Sequence, residues 1–405
     1  MLSVDQALSL IVQTVRPMSP VCRSVAEALG CVLAEDVLAD IDSPPFDKAL
    51  MDGYAIRADD LAAGRSEFDV IEEVTAGRVP QRALLNGQAT RIMTGAPIPA
   101  GANAVIKVED TELLSGASER VLIRAKSAAV GQSIMLRGTS LRAGQLVVSA
   151  GRVLRAQELA ALAEMGCDSL PLRVRPEIAV LTTGDELVPI GIKPGPGQIR
   201  NSNETMLAAQ IEQSGGRAVP LGIARDERAH LRQRIEQGLK GDMLLLSGGV
   251  SAGKLDLVPS ELANAGVEQV FHKINMKPGK PLWFGVLQRE VRPCVVFGLP
   301  GNPVSTMVCF ELFVRTAIRQ LRGEKLVLPQ RFEARLSHAH RHRDDRETYF
   351  PAAVETGVDG RTVTLMNWHG SADLQSTVDA NAVAVFPARP SEYAAGDSVD
   401  VILWC

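Results

Sequence analysis

The chain has 405 residues, 46% apolar and 22% charged, with a formal net charge of −4. These proportions belong to folded protein of about two to four domains and exclude disorder, collagen and coiled coil as the main state. Forty-three basic against 47 acidic residues is too even for a nucleic-acid binder, and aromatics at 4% are too few for base-stacking platforms. No apolar run reaches the roughly 18 residues of a membrane span. No basic leader precedes Asp5, so no signal peptide is expected. Six scattered cysteines without a CxxC pair fit a reduced, cytoplasmic protein better than a disulfide scaffold or zinc site, and Cys294 and Cys309 read as core.

In chain order, the apolar spacing of Val4, Ala7, Leu8, Ile11, Val12 and Val15 predicts a helix over 3–15, with Ser3 and Gln6 as a capping box. Ser24 and Glu27 repeat that signal before a short helix that stops near Gly30. Residues 45–140 carry short β-type runs (68–74, 104–108, 121–123) between Gly/Pro turns, which predicts a small all-β unit. Helix returns over 155–165 with Gly166 as its stop, and its packing against the N-terminal helices would make the β unit an insertion. From 175 to 322 strands (178–181, 218–223, 243–246, 282–286, 294–297) alternate with helices (204–214, 227–239, 258–264, 304–321). This argues for an open, mainly parallel α/β sheet covered on both faces. Five short strands over 328–405 suggest a small β-barrel or sandwich. The domain reading is 1–44 with 141–174 as a discontinuous helical domain, 45–140 as the inserted β domain, 175–325 as the α/β domain and 326–405 as the C-terminal β-barrel domain.

Three loops at carboxyl ends of predicted strands should share one place: 182-TTGDEL-187, 247-SGGVSAGKLD-256 and 298-GLPGNPVS-305. The Ser247-Gly-Gly turn allows positive φ and exposed amides, an anion-binding nest. Asn302 is a good N-cap and Pro303 suits the first helical position, so a helix N-terminus points there as well. Ordinary tight turns would leave the same pattern. In 277-KPGKP-281 two prolines and a glycine stiffen a loop carrying Lys277 and Lys280, which suits a tetrahedral oxyanion or phosphate, or else a solvated hairpin. Asp185, Glu186, Asp226 and Asp256 stand beside these loops. Carboxylates next to phosphate-binding amides fit a bridging Mg²⁺, although Asp226 could equally cap the following helix. By local pattern alone Asp52 reads as a turn residue and Thr94 is silent. His338, His340 and His342 at period two read as a solvated edge before a metal site.

Taken together, 44-PPFDKALMDGYA-55, 91-RIMTGAPIPAGANAV-105, the three loops, 276-MKPGKP-281 and, more weakly, 370-GSADLQSTVDANAVAVFP-387 resemble the molybdopterin molybdenumtransferases, the MoeA type related to the E domain of gephyrin. The resemblance runs in order along essentially the whole chain. It implies an elongated homodimer of four structural units, with the cleft between the α/β and barrel domains of one subunit and the inserted β domain of the other. It also implies the last step of molybdenum cofactor synthesis: molybdate and adenylylated molybdopterin enter, molybdenum is placed on the dithiolene, and AMP leaves in a Mg²⁺-dependent reaction.

Residue by residue, the resemblance implies a molybdate pocket of Lys277, Lys280, Pro281, Arg346 and Ser371. Cofactor contacts would come from Thr94, Thr183, Gly184, Ser247, Gly248, Gly249, Ser251, Pro300, Gly301 and Asn302. Asp52, Glu186, Asp226 and Asp256 would be catalytic, with Glu186 and Asp256 on the metal and Asp52 and Thr94 reaching across the dimer. Two departures stand out: Lys48-Ala-Leu replaces a segment that carries serine in relatives, and Gly138-Thr139-Ser140 replaces a Gly-Glu-Asp triplet. An adenylylating protein and molybdoenzyme acceptors are implied partners. Molybdopterin adenylylation, tungsten insertion and a catalytically weakened scaffold are the competing functions on the same frame.

Overall fold

The N-terminal helix forms where its capping signal stands. Ser3 Oγ accepts the Gln6 N–H at 3.1 Å and Gln6 Oε1 accepts the Ser3 N–H at 2.9 Å, opening a helix over Val4–Thr14. In the computed structural model, which describes residues 1–114, 119–249, 257–290 and 292–404, the chain divides into two compact units. One comprises Met1–Glu35, Ala150–Ala156 and Ser169–Cys405; the other comprises Asp36–Ser149 and Gln157–Asp168.

In the first unit six strands form one sheet in the order Arg217–Ala224, Glu177–Thr183, Met243–Ser247, Cys294–Leu299, Trp283–Leu287 and Glu268–His272. The first four run parallel; Trp283–Leu287 pairs antiparallel with Cys294–Leu299, and Glu268–His272 antiparallel with Trp283–Leu287. Strand periodicity explains the two-sided burial: Met243 and Leu245 enter one core, Leu244 and Leu246 the other, as do Ile178/Val180 against Ala179/Leu181. The parallel sheet expected from the sequence is present. Its antiparallel edge strand Glu268–His272 was not legible beforehand.

The apolar face of the N-terminal helix (Val4, Ala7, Leu8, Ile11, with Val15) joins the α/β core beside Phe313, Ala317 and Ile318. It packs on the long helical segment over Pro303–Cys309, Phe310–Val314 and Arg315–Leu321, where Gln320 donates to the carbonyls of Val12 and Val15. Phe310–Val314 is a π-helical turn inside what reads as one helix in the sequence. The short helix expected after Ser24 is only a 3₁₀ turn, Val25–Glu27, because the Ser24 hydroxyl bonds the Glu27 carboxylate at 3.0 Å rather than a backbone N–H.

Phe332–Leu336, Glu347–Gly357, Gly360–Leu365, Ala382–Phe386 and Ser398–Leu403 close into a five-stranded barrel, because Glu347–Gly357 pairs with both Gly360–Leu365 and Ala382–Phe386. Met276–Lys277, from the segment before the 277–281 loop, adds to this sheet in parallel with Glu347 and Thr348. That pairing fastens a loop of the α/β region to the barrel. The histidine run is not a solvated edge throughout. His342 is buried and stacked on Phe386, and His340 contacts Phe350 and Phe386. Strand alternation turns both rings onto the barrel's aromatic cluster instead of toward water.

The second unit holds a six-stranded sheet in the order Ala104–Lys107, Gly53–Ile56, Gln88–Ile92, Glu67–Val74, Arg120–Ile123 and Thr111–Leu114, with a short helix Ala58–Ala62 that the sequence did not suggest. Gly53 is obligatory there: a Cβ would lie 1.8 Å from the Ile106 carbonyl oxygen. The second helix runs Ala156–Glu164 and ends before Gly166, whose φ is +72°. Among the described residues no helix is long and apolar enough to cross a membrane.

Candidate functional site

The three strand-end loops do meet. In the first unit they line one cavity of about 1130 Å³ with the 277–281 loop and two barrel loops. Thr183, Gly184, Glu186, Asp226, Ser247, Gly248, Gly249, Lys277, Lys280, Pro281, Pro300, Gly301, Asn302, Arg346 and Ser371 all reach it. Ser251 and Asp256 lie outside the described residues. Asp52 and Thr94 belong to the second unit and are not among the lining residues.

The glycines are set by close approach. Gly248 has φ +98° and a Cβ there would stand 2.5 Å from the Thr183 carbonyl oxygen; Gly249 has φ +65° and its Cβ would meet Val258 Cγ2 at 2.7 Å. The first loop therefore locks the second. Gly184, at φ +144°, leaves room for the Glu186 carboxylate, which would be 2.4 Å from a Cβ at that place. Gly279 (φ +112°) lies against the helix, where a Cβ would be 2.6 Å from Cys309 Sγ. Cys294 and Cys309 are core residues, as the sequence suggested, and burial pushes both thiols up, that of Cys294 to about 12.

Asn302 occupies the N-cap position of Pro303–Cys309 but does not cap it with its side chain. Its Nδ2 donates instead to Ser371 Oγ at 2.8 Å, and the Val304 N–H donates to the Ser371 carbonyl at 3.0 Å. The helix end thus holds the barrel loop that carries Ser371, a correction to its expected role. Asp226 does not cap either: Glu227 stands at that position, and the Asp226 N–H donates to Asp185 Oδ1 at 3.3 Å.

The cationic side of the cavity contains a carboxylate that sequence reading missed. Asp344 Oδ2 is 2.8 Å from Lys277 Nζ, and Asp344 Oδ1 takes Arg346 Nε at 3.1 Å and the Arg346 N–H at 3.1 Å. Burial alone would raise this carboxyl, but the hydrogen bonds from Lys277 and Arg346 prevail and hold it at about 2. Among the described residues no carboxylate stands within ion-pair distance of Lys280. The only forewarning was an Asp-Asp-Arg triplet at the end of a basic run, a pattern without chemical specificity.

Asn203 was missed as well. Its Nδ2 donates to Ser247 Oγ at 2.9 Å and to the Gly301 carbonyl at 2.7 Å, tying two of the loops together. The signal for it was 201-NSNE-204: Asn201 and Glu204 bond each other at a helix start beside the sheet end. Buried polar atoms without partners cluster here too. Thr183 Oγ1, Asn203 Oδ1 and the Trp368 indole N–H all belong to cavity-lining residues. Among the described residues no group of three or more His, Cys, Asp or Glu side chains is arranged to hold a metal.

In the second unit Asp52 Oδ1 accepts both the Thr94 N–H at 2.7 Å and the Thr94 hydroxyl at 2.8 Å, and these bonds, the backbone one first, lower its pKa. The two motifs are therefore joined, though each was mute in sequence. Ser140 is exposed, and beside the same turn Asp42 is held ionised by the Ala143 N–H and Arg137.

Family comparisons agree with this layout. Residues 2–166 match the model of the MoeA N-terminal region (domain I and II), 179–320 that of a probable molybdopterin binding domain, and 333–404 that of the MoeA C-terminal region (domain IV). A molybdopterin molybdenumtransferase of Staphylococcus epidermidis is 32% identical over 99% of this chain and 95% of its own length. One from Nostoc is 34% identical over 93% and 86%. The crystal structure of the molybdopterin biosynthesis MoeA protein from Pyrococcus horikoshii superposes with a TM-score of 0.81 at 32% identity, covering 100% of this chain and 99% of that one. Chain order, sheet topology, barrel closure and loop convergence all fall within these matches: the chain belongs to the MoeA family of molybdopterin molybdenumtransferases.

Proposed function

We propose that this enzyme, a transferase of molybdenum cofactor biosynthesis, takes molybdate and adenylylated molybdopterin and releases AMP as molybdenum is placed on the dithiolene. The observation that carries the reading is one cavity lined by Lys277, Lys280, Arg346 and Ser371 together with the glycine loops of the sheet. Molybdate is a tetrahedral dianion, and ammonium, guanidinium and hydroxyl donors are the partners it requires. The positive-φ turn at Gly248 and Gly249 suits the phosphate side of the pterin, with the Gly248 N–H itself taken by the Leu299 carbonyl at 3.2 Å.

Mg²⁺ usually takes one or two carboxylates and completes its shell with phosphate and water. Glu186 and Asp226 line the cavity and fit that donor set; Asp256, implied by the family motif, is the further candidate. Bound there, Mg²⁺ would offset charge on the phosphoanhydride. The chain's own part is positioning. Lys277, Lys280 and Arg346 hold the oxyanion, the Ser247 loop holds the phosphate, and the Asn302–Ser371 bond keeps the barrel loop against the helix end. We further propose a homodimer in which Asp52 and Thr94 serve the partner's site. It would act in the cytoplasm between an adenylylating protein and molybdoenzyme acceptors. Incubation with adenylylated molybdopterin, Mg²⁺ and molybdate tests the reading: AMP release that requires molybdate supports it. Release with tungstate alone would favour tungsten insertion, and none at all, with dimerisation intact, would favour a scaffold.

A further inference from the structure

The cationic side of the cavity is built from three positive side chains and one negative one. Lys277, Lys280 and Arg346 line the cavity, whereas Asp344 does not line it and is bonded to two of the three from behind. Arg346 presents Nε and Nη2 to Asp344, at 3.1 and 3.4 Å, and Nη1 to the Met276 carbonyl at 3.5 Å, so its guanidinium is fixed in place while the residue lines the cavity. The Asp344 side chain is 15% exposed, and its remaining hydrogen bond, from the Arg346 N–H, fixes it to its own turn. It therefore cannot swing away when an anion arrives without leaving its own bonds unmade.

From this we infer that Asp344 is an affinity-limiting counter-charge: it sets the oxyanion pocket at a net charge of plus two instead of three and so limits how tightly a tetrahedral dianion is held. The inference rests on the oxyanion-pocket reading above. Two effects oppose one another. Removing Asp344 frees Lys277 and Arg346 to wander, which weakens binding by the order lost in two long side chains. It also removes a negative charge standing one side chain away from a doubly charged ligand in a half-buried site, and that Coulomb effect is the larger. The net result is tighter binding. For a transferase this matters because a substrate oxyanion held too firmly in the ground state is not handed on, and abundant dianions of the same shape would occupy the pocket.

Asp344→Asn keeps shape and removes charge; Asp344→Ser removes both and guards against an effect particular to the amide. Titration calorimetry with sodium molybdate and, separately, sodium sulfate at fixed ionic strength should show both variants binding both anions about tenfold or more tightly than the wild-type enzyme. In turnover, KM for molybdate and kcat should fall together. A residue that merely props up the two cations would instead raise KM. Unchanged or weakened binding, or tightening for molybdate but not sulfate, overturns the inference. Lys280→Ala separates the two layers: if it costs no molybdate affinity the pocket reading itself is wrong, whereas if it does and Asp344→Asn does not tighten binding, only the counter-charge is wrong.

Discussion

The two charged walls of the cavity are constructed differently. On the cationic wall the side chains come from a stiff loop and a barrel turn, and a half-buried carboxylate binds two of the three. On the acidic wall Glu186 and Asp226 come from loops at strand ends, with Glu186 laid over Gly184 and Asp226 held through its backbone by Asp185. One wall has its charge balanced inside the protein. The other is built from residues at strand ends that line the cavity, with the Asp226 backbone fixed by Asp185. On the proposed reading, a dianion would be held by pre-neutralised cations, while a phosphate-bridging cation would be brought to the acids with the substrate.

That contrast predicts a division of kinetic labour. Glu186→Gln with Asp226→Asn should lower turnover about a hundredfold or more, with molybdate affinity kept within about threefold. Lys277→Ala with Lys280→Ala should do the reverse, weakening molybdate binding about a hundredfold and affecting the pterin substrate less, as calorimetry would show. If both pairs move the same parameter, the walls do not differ in role. Gly248→Ala tests the frame common to both. The strained φ and the 2.5 Å approach to Thr183 should cost about 1–3 kcal/mol in urea unfolding, and equal stability would mean that the loop has another conformation.

The acid limb sharpens the comparison further. Asp344 is depressed from 3.8 to about 2 in the folded chain, so it contributes stability that is complete above about pH 4 and is lost as pH falls through about 2. The size is about 2 kcal/mol, and Asp344→Asn should remove that part of the pH dependence while leaving the part due to other carboxylates. The smallest effect is expected at Asn302→Ala. Because its side chain does not cap the helix, stability should fall by only a few tenths of a kcal/mol, well under the usual cap loss of about 1 kcal/mol, while molybdate affinity declines through the released Ser371.

Much of this architecture was legible in the residues. The alternation of Met243–Ser247 with its neighbours marked a two-sided sheet, and strand-end glycines marked loops that line the cavity. What escaped was non-local. Asp344 earns its meaning only when Met276–Lys277 pairs with Glu347 and Thr348, a contact no sequence window contains. Asn302 had the form of a cap but a nearer partner in Ser371, and His342 had the look of a solvated edge until strand alternation turned it inward. The N-terminal helix was read correctly in extent, but its place in the α/β core beside Phe313 was not legible, since amphipathicity states that a face is buried and not against what.

The most direct measurement is a crystal of the enzyme soaked in molybdate, with the metal located by anomalous scattering. The expected result is one peak in the described cavity, its oxygens within hydrogen-bond reach of Lys280, Arg346 and Ser371 and with Asp344 still bonded behind Lys277. A peak away from that cluster, or one that appears only after Asp344 has turned out of its bonds, would contradict the oxyanion site as built.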